Sequence, residues 1–292
     1  MAPSSQLVLL PLFLLIQLPD FVFSQTNNGN VKFGASLFAE KNSSPWLSAS
    51  GDFAFGFRQL RNQDDLFLLC IWYAKIPDKT IIWCANGNKP AAVKSNVVLT
   101  PEIGLALTSP QGEELWKSVS IDGQIAGAVM SDEGNFAIVD SRSEKLWETF
   151  KNPTDTILPS QILDRESFLS SRQSEANYSK GRFQFRLQQD GNLVLNTINL
   201  PSDFANEPYY ESNTTSDTSN SVTAGNQLVF NESGYLYILR ENGERFNLTT
   251  QGERVSTKDN YFRATLSFDG VFTQYFHPKS FSGNVSWKSL KG

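Results

Sequence analysis

Apolar and polar residues alternate along most of this chain in short runs that are broken by glycine, and a period of two residues is the signature of a half-buried strand. Six stretches read as strand, turn and strand: Trp46 to Phe57, Leu99 to Leu107, Val129 to Val139, Phe185 to Leu195, Leu228 to Leu239 and Ala264 to Tyr275. Gly51, Gly104, Gly134, Gly191, Gly234 and Gly270 stand at the turns, where a positive φ is needed. Apolar runs of helical period are scarce, so the expected class is all-β. The six units fall into two sets of three, separated by a segment in which Pro153 and Pro159 interrupt any strand. The expected division is a first domain over 25–152, a second over 153–287, and 288–292 as the start of a further segment. Pro201 to Gly225, polar and rich in Ser, Thr and Asn, reads as an exposed insertion loop.

Trp83, Trp116 and Trp147 lie near the ends of strands that follow the turns. One hairpin cannot bury its own apolar face, so three sheets closing around a pseudo-threefold axis, each contributing a tryptophan, make a minimal core. Exposed platforms for sugar rings are the other use of these indoles; their apolar-flanked strands favour the core.

At 292 residues the chain has room for about two domains. Its 22 Phe and 6 Trp suit β-structure, and a net charge of -5 with no long Lys/Arg run excludes a nucleic-acid partner. Leu7 to Leu18, broken by Pro11 and followed by Pro19 and Asp20, reads as the apolar core of a signal peptide over 1–24, cleaved near Ser24/Gln25. A short membrane anchor is the alternative, but the run is too short to cross a bilayer comfortably. No second apolar stretch is long enough to span, so the mature chain is expected outside the cell. Asn-x-Ser/Thr sequons at Asn42, Asn177, Asn213, Asn231, Asn247 and Asn284 agree with a secreted glycoprotein. Cys70 and Cys84 flank an apparent hairpin around Pro77-Asp78-Lys79. A cross-strand disulfide and two buried thiols are both open, depending on register.

The segment with most chemistry is Gln188-Gln189-Asp190-Gly191-Asn192-Leu193-Val194-Leu195-Asn196. Were it extended, Gln188, Asp190, Asn192 and Val194 would share one side and offer amides, a carboxylate and an apolar patch. That set suits a hexose, whose hydroxyls donate and accept and whose C–H face is apolar. On spacing alone the simpler reading is a hairpin turned at Asp190-Gly191.

Several segments together resemble the bulb-type (mannose-binding) lectin family, and more narrowly the start of the ectodomain of plant G-type lectin S-receptor-like serine/threonine kinases. They are Gly51 to Phe57, Ile71-Trp72-Tyr73, Lys75 to Asn86, and Leu146 to Phe150 with Asn152 to Thr156, in that order. The resemblance implies tandem β-prism II domains, each of three antiparallel sheets about a pseudo-threefold axis. It also implies a sugar motif in which Gln188, Asp190 and Asn192 hydrogen-bond mannose hydroxyls and Val194 packs on the ring. Asn196 stands where the family has a tyrosine, which predicts weak binding. Around Gly134 the corresponding residues are Ser131, Glu133, Asn135, Ala137 and Val139, and the polar set is essentially gone around Gly104 and Gly234. The implied partners are a mannose-type glycan or glycoprotein, with a homodimer or co-receptor ectodomain as the alternative role for a scaffold that has lost sugar binding.

Catalysis finds no support. His277 is the sole histidine and reads as an incidental surface residue; no nucleophile elbow, carboxylate pair, kinase signature or metal-ligand cluster is present. No cofactor is expected.

Overall fold

The computed structural model of the protein describes residues 28–119, 121–216, 223–249 and 255–290. The leader expected over 1–24, and its cleavage point, lie outside them. Among the described residues every regular element is a strand, apart from one short 3-10 turn at Thr149–Lys151. The strands form six antiparallel sheets, three in each of two successive prisms.

Each sheet is a three-stranded meander completed by a strand from elsewhere, and the first sheet gains a fifth short strand, Ala91–Ala92, paired with Gln63–Tyr73. In the first prism the meanders are Phe53–Leu60, Gln63–Tyr73 and Ile81–Cys84; then Asn96–Thr100, Gly104–Thr108 and Glu114–Lys117; then Gly127–Met130, Phe136–Val139 and Lys145–Glu148. Their outer strands all come from the segment that precedes them. Trp46–Leu47 completes the first sheet, Ser36–Phe38 the second and Asn30–Val31 the third. The second prism repeats the plan, with Phe168–Arg172, Gln161–Asp164 and Thr156–Ile157 lent to its first, second and third sheets. Each leading segment thus binds three sheets that share no other strand and covers edges that would otherwise expose unpaired backbone groups.

The glycine turns are present, and all six glycines have positive φ. Five of them link the first two strands of a meander, whereas Gly51 joins the lent strand Trp46–Leu47 to Phe53–Leu60. The equivalent turn of that sheet carries Asn62, at φ 61. Three expectations need correction. Phe204–Glu211, assigned to an insertion loop, is the fourth strand of its sheet, paired with Leu193–Asn199. It is an edge strand, largely exposed on both faces, so polar and apolar residues do not alternate along it. Lys288–Ser289 pairs with Phe272–Pro278, so the last sheet runs past residue 287. His277 is fully buried: its ring nitrogens lie 2.7 Å and 3.0 Å from the carbonyl oxygens of Pro278 and Val285, beneath Phe281 and Trp287.

Trp83, Trp116 and Trp147 meet edge to face around the axis of the first prism, with ring centroids 5.8–6.2 Å apart. They lie opposite Ile71, Leu107 and Ile138 in their sheets. In the second prism Tyr210 and Phe246 hold the matching positions opposite Leu195 and Ile238, around a core that includes Leu169, Phe185, Leu193, Phe230 and Ile238. Cys70 and Cys84 face each other in register and are joined by a disulfide on the side of the sheet away from the tryptophans.

The core of the first prism continues into the second through Leu158 and Tyr261. Tyr73 carries the contact: its ring packs 5.1 Å from Tyr261 and 5.2 Å from Trp287, and its hydroxyl donates to the carbonyl of Phe262 at 2.5 Å. Trp287 in turn donates its indole N–H to Thr80 Oγ1 at 2.7 Å. Burial pushes the Tyr73 phenol far above its ordinary value, and burial together with nearby Asp52 does the same to Tyr261. A raised phenol favours the folded state fully below about pH 10, and that contribution is lost as pH rises further, because the unfolded chain releases protons that the folded one retains. Unfolding free energy measured from about pH 8 to about pH 12 should hold steady and then fall above about pH 10, and Tyr73→Phe should flatten that fall while costing about 1–3 kcal/mol at neutral pH. An alkaline limb unchanged by Tyr73→Phe would contradict this assignment.

Candidate functional site

The motif segment bends where the simpler reading placed the bend. The strand Lys180–Leu187 ends before Gln188 and the next begins at Leu193. Between them Gln188 N–H donates to the Asn192 carbonyl at 2.8 Å and Gly191 N–H to the Gln188 carbonyl at 3.0 Å, with Gly191 at φ 84. A Cβ on Gly191 would also meet the Gly225 backbone at 2.5 Å, so no other residue fits. Asp190 caps the turn, its Oδ1 accepting the Asn192 N–H at 2.9 Å.

This turn separates the five motif residues into two groups. Gln188 and Asp190 stand at the surface and line an open depression with Gln189, Arg186, Glu166 and Phe168. Asn192, Val194 and Asn196 are buried, at 5%, 1% and 1% exposure. Asn192 is occupied by the fold: its Oδ1 accepts from the Ser212 hydroxyl at 3.1 Å and the Thr214 N–H at 3.3 Å, while its Nδ2 donates to Glu211 at 3.2 Å. Asn135, in the copy around Gly134, is held in the same way by Thr149, Phe150 N–H and Glu148. A copy whose other motif positions have changed keeps this clamp, so the asparagine ties the turn to the third strand of its meander.

A hydroxyl completes the clamp. Ser118, Thr149, Ser212 and Thr249 each accept an N–H at the start of the neighbouring strand, from Leu105, Phe136, Leu193 and Leu236, at 2.8–3.0 Å. Spacing within one hairpin does not disclose this, because donor and acceptor sit on different strands. Arg186, Glu166 and Phe168 were missed for a related reason. Arg186 lies directly opposite Val194, and Phe168 opposite Arg186, so the hairpin register about Gly191 would have found Arg186. The other two come from the lent segment and leave no local signal. Nothing among the described residues assembles a metal-binding group of His, Cys, Asp or Glu.

A family model described as D-mannose binding lectin matches residues 80–178. Residues 80–178 thus carry the match to that lectin family. The chain is 41% identical over 267 residues to the G-type lectin S-receptor-like serine/threonine-protein kinase LECRK2 of Oryza sativa subsp. indica, covering 89% of the chain and 32% of the relative. It is 45% identical over 252 residues to the corresponding kinase RLK1 of Arabidopsis thaliana, covering 80% and 29%. The chain therefore spans about a third of the length of these curated relatives, and its sequence includes none of the kinase motifs. Among solved structures it aligns with the mannose-specific snowdrop agglutinin bound to methyl-α-D-mannoside, at TM-score 0.31 and 19% identity, over 45% of this chain and 98% of that one. It also aligns with the two-domain Scilla campanulata agglutinin, at TM-score 0.30 and 16% identity, over 76% and 85%. The matched family segment ends before Gln188, so the motif turn, which lies in the second prism, falls outside that match.

Proposed function

We propose that this chain is a non-catalytic, extracellular glycan-recognition module of a receptor-like protein, with weak affinity for mannose-type glycans at the Gln188 turn. The observation that carries the reading is that half-buried Gln188 and exposed Asp190 line one open depression, in a turn held by the buried Asn192 clamp. Gln188 supplies an amide that donates and accepts, and Asp190 a carboxylate that accepts from vicinal hydroxyls. Arg186 and Gln189 add donors at the rim. Val194, at 1% exposure, lies outside the lining of the depression and would not touch a ring, and Asn196 has lost the tyrosine's stacking surface. Both changes weaken binding relative to a full motif. Extracellular placement rests on the leader-like N-terminus and the sequons; among the described residues no helix is long and apolar enough to cross a membrane.

Asp190→Ala keeps the Asn192 side-chain bonds to Glu211, Ser212 and Thr214 but removes the turn's own cap on the Asn192 N–H as well as the carboxylate, and should reduce mannan or glycan-array binding of the secreted chain by about tenfold or more. Asp190→Asn, which keeps an acceptor for that N–H, should lose the charge-assisted part of the binding with the cap in place. Binding that survives the substitution removes this turn from the account. A second reading, a protein-docking ectodomain that pairs with itself or a co-receptor, is favoured by one feature. Phe204–Glu211 is an outermost strand, with Phe204, Tyr209 and Tyr210 exposed at 67%, 51% and 40%. Pro208 within it limits open-ended strand addition. Retained dimerisation without any glycan binding would select this reading.

A further inference from the structure

The two prisms enclose a cleft of about 450 Å³ that lies apart from the motif turn. One wall is the loop after Cys84 together with Trp116 of the first prism; the other is the strand Phe168–Arg172 and Tyr178 of the second. The walls are fixed. Lys180 N–H donates to Asn88 Oδ1 at 2.8 Å, and Gly87 approaches Tyr178 so closely that a Cβ would lie 2.1 Å from its carbonyl oxygen. Arg172 spans the gap, donating to Asp155 and to the Ile81 carbonyl.

Its lining combines aromatic rings, Trp116, Tyr178 and Phe168, with amide and hydroxyl groups, among them Ser170, whose buried Oγ has no hydrogen-bond partner. The charges are already matched: Arg172 with Asp155 at 2.5 Å, Lys89 with Glu113 at 2.5 Å and Lys180 with Asp203 at 2.8 Å. A cleft with ring faces and neutral hydrogen-bonding groups, but no unmatched charge, suits a neutral polyhydroxylated ligand better than an acidic or basic one. Its volume accommodates on the order of two hexose rings. Phe168, 44% exposed, lines both this cleft and the depression at Gln188, so the two cavities adjoin at one side chain.

We propose that the inter-prism cleft is a second saccharide site, which with the Gln188 turn makes the lectin a reader of oligosaccharides rather than of single sugars. The continuity across Phe168 rests on the glycan reading of the turn; the cleft itself does not. The saccharide has two sources, a free oligosaccharide or a glycan carried on Asn177, an exposed sequon next to Tyr178.

Titration calorimetry on the glycosylated chain and on Asn177→Gln, with methyl α-mannoside and with mannopentaose, tests this. Mannopentaose should bind about tenfold more tightly than the monosaccharide, one well-stacked ring being worth about that factor. Tyr178→Ala should abolish the gain and leave monosaccharide affinity unchanged, which also reports that the variant is folded. Phe168→Ala should weaken both ligands. A gain seen only in Asn177→Gln identifies the chain's own glycan as the occupant and supports the cleft. No gain with chain length in either form, or a gain that Tyr178→Ala leaves intact, overturns the proposal. Should Asp190→Ala prove silent while Tyr178→Ala removes mannopentaose binding, the turn fails as a site and the cleft stands.

Discussion

Arg172→Ala should lower the unfolding free energy by about 3–5 kcal/mol, the cost of stranding one partner of a buried ion pair. Asp155 is only 4% exposed, and Arg172 Nε reaches its Oδ2 at 2.5 Å. The same guanidinium lies 4.1 Å from the Tyr178 ring centroid and donates to Ile81 across the prism boundary. Burial opposes its charge, but Asp155 and then Tyr178 outweigh that and hold its pKa above the ordinary value. Arg172→Lys should recover only part of the loss, because an ammonium cannot make the forked contacts or stack on Tyr178. A double replacement, Asp155→Leu with Arg172→Met, should cost much less than the sum of the single changes, since no buried charge is left alone. Denaturant unfolding of the four proteins measures this. Additive single and double changes would show that the pair does not act as a unit.

Trp83→Ala should cost a further about 3–5 kcal/mol in the same assay, the range for truncating a buried large aromatic. Trp83 packs edge to face on both Trp116 and Trp147, and it alone of the three is also seen to reach the connecting segment, donating its indole N–H to the Asn152 carbonyl at 2.7 Å. Truncation therefore opens the axis of the first prism and frees the segment that leads into the second. Trp83→Phe should restore most of the packing and leave about 1 kcal/mol, the value of the lost hydrogen bond. The near-ultraviolet circular dichroism should also collapse in Trp83→Ala, since the coupled indoles no longer face each other. A loss of stability below about 1 kcal/mol would mean that the axis collapses around the gap.

Particular residues show where reading the chain in one dimension succeeds. Gly104, Gly134, Gly191, Gly234 and Gly270 do sit in left-handed turns between paired strands, because a tight reversal leaves few residue types able to occupy that position. The indoles of Trp83, Trp116 and Trp147 do meet at an axis, because each follows an apolar strand that must be covered. Gly51 shows the limit. It too has positive φ, but its turn joins a lent strand to a meander, and local pattern is the same in both cases.

What the sequence by itself determined is thus the strand period, the turns that punctuate it and the bend at Gln188–Gly191, all set by contacts between near neighbours. Only the tertiary structure decided that Asn30–Val31 closes a sheet with Gly127–Met130, that Asn192 is taken up by Ser212 and Thr214, that Val194 and His277 are buried, and that Phe168 joins two cavities. Those outcomes depend on which distant strand covers which face, and alternation along one strand says that a face needs covering without saying by what.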